Sequence, residues 1–182
     1  VEGYMDVIAV ARTGITNVVA SCGTSLTESQ VKLLARFTRR VVVNFDPDTA
    51  GQAATERSLT VLLEQNCDVR VRALPGGQDP DNFLRSQGAE AYRQLLTAAP
   101  SYLDYLIGRA RQLGTATAEE KLRAVNFLMP HVQRIPNGLL RSEWASRIAQ
   151  QLRVEEPVLR EALRQAATER RSEVKAKPAL VG

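Results

Sequence analysis

Val41-Val42-Val43-Asn44-Phe45-Asp46-Pro47-Asp48-Thr49-Ala50-Gly51 is the stretch on which the fold turns. Its first half is β-branched and apolar, the pattern of a buried strand. That strand runs straight into two carboxylates and then a helix start. Open parallel sheets bind ligands beyond the carboxyl ends of their strands, so Asp46 and Asp48 fall where a site is expected. Side chains alternate along extended backbone, which points both carboxylates the same way. Pro47 fixes the dihedral between them and delays the helix. A second acidic element, Glu2-Gly3-Tyr4-Met5-Asp6, opens the chain ahead of another helical pattern. If the strand ends at Glu2 and Asp46 are neighbours, about 5 Å separates their backbones. Glu2, Asp46 and Asp48 then share one cavity, with Asp6 one helical turn on and leaning toward it.

Such crowding is costly without a cation. Two unit charges 4 Å apart repel by about 4 kcal/mol at an effective dielectric near 20. An all-oxygen donor set without His or Cys suits Mg²⁺ or Mn²⁺ rather than Zn²⁺. Raised carboxylate pKa values are therefore expected in the metal-free site.

The rest of the first half alternates strand and helix, which argues for a parallel sheet with right-handed crossovers. Tyr4 to Ala11 has helical spacing and Gly14 suits a left-handed C-cap. Thr16 to Ser21 is a short β-branched run, read as a strand. Thr27-Glu28-Ser29-Gln30 forms a capping box; its helix should carry Val31, Leu34, Ala35 and Phe37 toward a core. Arg40 to Phe45 and Val69 to Leu74 are the further strands. Between them Ala50 to Gln65 is a helix with an apolar face through Ala53, Ala54, Leu59, Leu62 and Leu63. Three visible strands are expected, with Val1-Glu2 the tail of a fourth. Pro75 to Asp81 is turn chemistry. From about Ala89 the chain is helical: Glu90–Ala98, Ser101–Leu113, Ala118–Val132, Leu139–Leu152 and Glu155–Ala167, with Thr117 as an N-cap. The expected organisation is an α/β unit over 1–88, a small all-α bundle over 89–169, and a charged linker over 170–182.

The 182 residues suit one domain plus an appendage. No apolar run is long enough to span a membrane, and no signal peptide is visible. Cys22 and Cys67 have no metal or redox spacing and read as reduced, buried and structural, as in a cytosol. Residues 1–100 hold 10 Lys+Arg and 11 Asp+Glu, a net −1, and residues 101–182 hold 14 and 9, a net +5. The acidic half carries the candidate site; the basic half could favour a polyanion, but +5 is mild and equally suits a solvated helical surface. The opening at Val1 reads as a fragment whose first strand has mostly been cut away.

These acidic residues resemble the TOPRIM domain of topoisomerases and primases, in which a Glu ends one strand and Asp-x-Asp ends a later one. Glu2, Asp46 and Asp48 match those positions. The likeness is closest to bacterial replicative primases. Val1 to Val7 resembles their VEGYMDV segment, and Val19 to Thr27 their VASLGTxLT, with Cys22 for the usual Leu. Phe45 to Gly51 resembles FDxDxAG, and Leu74 to Asp81 resembles LPxGxDPD. The matches keep family order over roughly 1–88; the later helices resemble the helical subdomain of the primase polymerase core. The resemblance implies synthesis of short RNA primers on single-stranded DNA from ribonucleoside triphosphates. It implies that Glu2, Asp46 and Asp48 are catalytic and bind Mg²⁺ or Mn²⁺, and that Asp6, Asp79 and Asp81 belong to the same site. Locally, Asp6 also reads as a first-turn dipole partner, Asp79 as a turn residue and Asp81 as an N-cap. Gly3 and Gly51 would let a phosphate approach the backbone. Zinc would belong only to an amino-terminal module outside the chain. A replicative helicase would be contacted through a carboxy-terminal domain also outside it. The implied setting is the bacterial cytoplasm, with no membrane.

Other features are discounted. His131 precedes Pro136 in a helix and reads as surface or satisfied core. Trp144 lies on an apolar stripe with Leu140, Ile148 and Leu152. Lys32, Arg36, Arg39 and Arg40 read as a solvated helix end, with nucleic acid the alternative. Ser21, Thr24 and Ser25 lack a His–acid pair. A haloacid-dehalogenase phosphohydrolase wants Thr or Val where Ala50 stands. A type IA topoisomerase would need a catalytic Tyr in another domain. The remaining alternative is a non-catalytic TOPRIM scaffold, like a recombination mediator, that binds DNA or protein partners.

Overall fold

The computed structural model describes residues 1–22, 25–45 and 49–165, with backbone alone at 45 and over 49–56. Asp46, Asp48, Thr24, the side chains of Ala53 and Ala54, and the 170–182 linker lie outside the described residues. The chain divides into two compact units, Val1–Tyr105 and Leu106–Gly182.

In the first unit the order is α1 (Tyr4–Ala11), α2 (Glu28–Leu34), β1 (Arg40–Phe45), α3 (Thr49–Glu64), β2 (Asp68–Ala73), a 3₁₀ turn at Pro75–Gly77 and α4 (Pro80–Thr97). β1 and β2 pair in parallel, Arg40 opposite Asp68 through Phe45 opposite Ala73. The crossover helix α3 buries Leu59, Leu62 and Leu63, and β2 buries Val69 and Val71. Each such side chain contributes about 1.5–3 kcal/mol. The parallel sheet flanked by helices is as expected.

Several expectations about this unit are corrected. The described residues hold two strands, not three. Thr16 to Ser21 forms no strand, and among the described residues this stretch bonds back to Val1 and Glu2: Val1 N donates to Val19 O (3.2 Å), Ser21 N to Val1 O (3.3 Å) and Cys22 N to Glu2 O (2.8 Å). That is a parallel pattern two residues long, too short for a ladder. Phe37 is 82% exposed rather than in a core. α2 stops at Leu34, so Phe37 lies in the following turn and loses the phase that buries Val31. Cys67 is buried as expected, whereas Cys22 is exposed; both are free thiols.

Local chemistry fixes the helix starts. Thr27 and Gln30 form the expected capping box. α4 starts on Asp79, whose side chain accepts from Asn82 N at 2.7 Å, with Pro80 in the first turn. The helix runs ten residues earlier than the expected start at Glu90 and kinks at Gly88, where φ is 84°.

α5 (Tyr102–Gln112) carries the chain into the second unit, followed by α6 (Ala118–Gln133) and α7 (Gly138–Leu152), with helical backbone again over 156–165. Thr117 and Glu120 form a capping box, and Asn137 Oδ1 accepts from Leu139 N and Leu140 N. α6 packs on α7. Leu128 and Val132 from α6, and Trp144, Ile148 and Leu152 from α7, are buried. His131 is buried as well. No helix among the described residues is long and apolar enough to cross a membrane.

Candidate functional site

The acidic elements stand at the starts of α1 and α4 and at the end of β1. α1 packs against α4. Val10 of α1, Leu74 after β2, and Phe83 and Tyr92 of α4 form one buried cluster. That apolar contact brings Asp6, one turn before Val10, near the start of α4. Asp6 is half-buried, and burial is the main cause of its carboxyl rising above the usual aspartate range. Gly3 N, which donates to Asp6 Oδ2 at 3.1 Å, opposes the rise; the charges of Asp79 and Asp81 add to it. Asp6, Asp79 and Asp81 therefore lie within electrostatic reach of one another.

Asp79 and Asp81 have local partners. Asp79 Oδ2 accepts from Asn82 Nδ2 at 2.9 Å, in addition to capping α4. Asp81 is held by Arg85 one turn on, Nε to Oδ1 at 3.1 Å and Nη2 to Oδ2 at 2.8 Å. The N-cap is thus Asp79, not Asp81, because Pro80 takes the first helical position. Gly77, Gln78, Asp79, Asn82, Arg85 and Ser86 line a shallow pocket here. Glu2 is half-buried, and its backbone carbonyl is tied to Cys22.

Asp46 and Asp48 follow Phe45, at the carboxyl end of β1 and just before α3, outside the described residues. Gly51 falls in the first turn of α3. Among the described residues no group of three His, Cys, Asp or Glu side chains is close enough to hold a metal ion.

Asn44 was not singled out in the sequence. It is buried, two residues before Asp46. Its Oδ1 accepts from Tyr92 Oη at 2.7 Å and its Nδ2 donates to Arg72 O at 2.7 Å. The available signal was a lone amide inside an apolar strand, since a buried polar group demands partners.

A family described as "Toprim-like" matches residues 1–84, and one described as "DnaB-helicase binding domain of primase" matches residues 103–157. This second match falls on the helices that follow the α/β unit. A DNA primase of Clostridium acetobutylicum is 51% identical over 110 residues, covering 60% of this chain and 18% of the relative. The crystal structure of a DNA primase domain from Pseudomonas aeruginosa superposes with a TM-score of 0.78 at 34% identity, covering 92% of this chain and 53% of that one. A DnaG primase catalytic domain bound to single-stranded DNA matches with a TM-score of 0.70 at 32% identity, covering 82% of this chain and 50% of that one. The chain spans 18–26% of the length of the first curated relatives it matches. With its α/β unit and its helical unit both matched in order, the chain belongs to the bacterial DNA primase family.

Proposed function

We propose that this chain supplies the acidic, metal-holding part of a primase RNA polymerase core. In the whole protein, that core joins ribonucleoside triphosphates into short primers on a single-stranded DNA template. The observation that carries this reading is the crowding of Asp6 with Asp79 and Asp81 beside the strand end that leads to Asp46. Burial is the main reason the Asp6 carboxyl is raised, and the negative charges of Asp79 and Asp81 add to it, a field that a cation would offset.

The donor chemistry fits a hard divalent ion, Mg²⁺ or Mn²⁺. Glu2, Asp46 and Asp48 would hold it, with Asp6, Asp79 and Asp81 in the same acidic surround. When bound, such an ion supplies Lewis-acid activation of a primer hydroxyl and charge neutralisation at a leaving pyrophosphate. The protein's own part is positional. Gly3 leaves room at the start of α1: its φ is −113°, and a Cβ there would meet only Asp6 Oδ2 at 3.6 Å. Among the described residues nothing else fills the space a side chain would take at Gly3, which leaves room for a phosphate to approach. Gly51 and the first amides of α3 offer positive potential next to Asp48. Arg85 neutralises Asp81 until a cation competes for it. The helical unit, by its match over 103–157, is the part we assign to helicase contact.

The test is Asp46→Asn in the full-length protein. Primer synthesis from labelled ribonucleotides on single-stranded DNA should fall below detection, and Mn²⁺ binding measured by electron paramagnetic resonance should weaken. Retained synthesis with unchanged Mn²⁺ binding would remove the metal role.

A further inference from the structure

We infer that Tyr92 and Asn44 are positioning residues that set the spacing of the three acidic elements, and through that spacing the affinity of the site for its divalent ion. The inference rests on the metal-site reading above.

Tyr92 touches all three elements. Its hydroxyl donates to Asn44 Oδ1 at 2.7 Å, two residues before Asp46. Its ring lies 6.1 Å from that of Phe83, centroid to centroid. Phe83 N in turn donates to the carbonyl of Asp79 at 3.0 Å. The third element is α1, whose Val10 shares the buried cluster of Tyr92. Asp6 is close enough to Tyr92 that, after burial, its charge is what raises the phenol to about 12.

The bonds close a ring. Asn44 Nδ2 donates to the carbonyl of Arg72 on β2. The Arg72 side chain donates to Leu95 O and Ala98 O at the far end of α4, and Tyr92 of the same helix returns to Asn44. β1, β2 and α4 are thus locked together at the strand end from which Asp46 departs. Asn44 spends both functions of its amide in the ring, and both residues are almost fully buried, at 2% and 1% exposure. In that setting a polar pair has one satisfied arrangement, whereas an apolar pair of similar volume would tolerate sliding. Aligned hydrogen bonds therefore fix what packing alone would leave loose. A shift of about 1 Å in ligand spacing is enough to degrade a site that demands near-ideal octahedral geometry.

The experiment uses the full-length protein and three variants: Tyr92→Phe, Asn44→Ala and Asp46→Asn. Tyr92→Phe keeps the ring and removes only the bond. At a temperature well below its unfolding midpoint, the Mg²⁺ concentration giving half-maximal primer synthesis should rise about threefold to tenfold, less than the roughly 10–100-fold of a bond made directly to a metal ligand. The rate at saturating Mg²⁺ should stay within about twofold. Mn²⁺ binding by electron paramagnetic resonance should weaken in parallel. Asn44→Ala should give the same displacement, and the double variant Tyr92→Phe with Asn44→Ala no more than the larger single effect. A lower unfolding midpoint with unchanged Mg²⁺ half-saturation and Mn²⁺ affinity would make the pair merely structural and overturn the inference. Asp46→Asn separates the two failures. If it abolishes synthesis while Tyr92→Phe leaves metal dependence untouched, the positioning role alone is wrong. If Asp46→Asn is active, the metal-site reading falls, and this inference with it.

Discussion

Lowering the pH from 7 to 5 protonates an unfolded His131 but not the folded one. His131 lies in α6 at 7% exposure, with its ring 5.6 Å from that of Phe127. Burial, then the charges of Arg134 and Arg109, push it down from 6.5 to about 4. The neutral imidazole therefore stabilises the fold above pH 6.5, and that stability drains away as pH falls from 6.5 toward 4. With those two values, linkage gives a loss of about 2 kcal/mol between pH 7 and pH 5, and about 3 kcal/mol by pH 4. Trp144, the single tryptophan, is buried in α7 of the same unit and reports its unfolding by fluorescence. Urea titrations at both pH values, on the native chain and on His131→Gln, isolate the effect. His131 has a partner of its own, so the variant is expected to be weaker at pH 7. The informative quantity is the difference between the two pH slopes. Equal losses in both proteins between pH 7 and pH 5 would show that another group carries the acid sensitivity.

Thr117→Ala removes the acceptor for Glu120 N and should cost about 1 kcal/mol by the same fluorescence readout. Gly114→Ala should cost more, about 1–2 kcal/mol. Its φ is +96°, and a Cβ there would meet Glu120 Cδ at 2.5 Å, breaking the other half of the same capping box. Asp6→Asn should raise the metal-free chain's stability at pH 7 in calorimetry. The folded carboxyl is raised above 3.8, so the native chain loses stability as pH climbs from 3.8 through that raised value, whereas the variant does not.

The features legible in the sequence are those whose partners are near in the chain. The boxes at Thr27–Gln30 and Thr117–Glu120 join residues three apart, so residue type and spacing specify them. The start of α4 was misread, with Asp81 as the cap and the helix from Glu90, although Pro80 in the first helical position marks the preceding Asp79 as the cap. The β-branched run at Thr16–Ser21 reads as a strand, and the structure forms none there. Propensity cannot say whether an extended segment finds a ladder, and here only Val1 and Glu2 answer it. Asn44 was opaque for the same reason. Its partners, Tyr92 and Arg72, lie 48 and 28 residues away, and no periodicity links them.

The same distinction explains why Asp6 is the described acid that carries the cost. Asp79 and Asp81 meet their demand locally, through Asn82 and Arg85. Asp6 is first of all buried by the packing of Val10 against Phe83 and Tyr92; the Gly3 amide eases that cost, and the like charges of Asp79 and Asp81 add to it. Apolar contact thus buries an acid beside others of like charge, and the fold is less stable at neutral pH for it. A ligand that binds only the folded form returns stability in proportion to ln(1 + [L]/Kd). A divalent cation held beside Asp6 should therefore stabilise the native chain, with Asp6 ionised, more than Asp6→Asn, as read by calorimetry. Stabilisation by Mg²⁺ that is equal in both proteins would mean the ion binds elsewhere, and the crowding at Asp6 would then need another explanation.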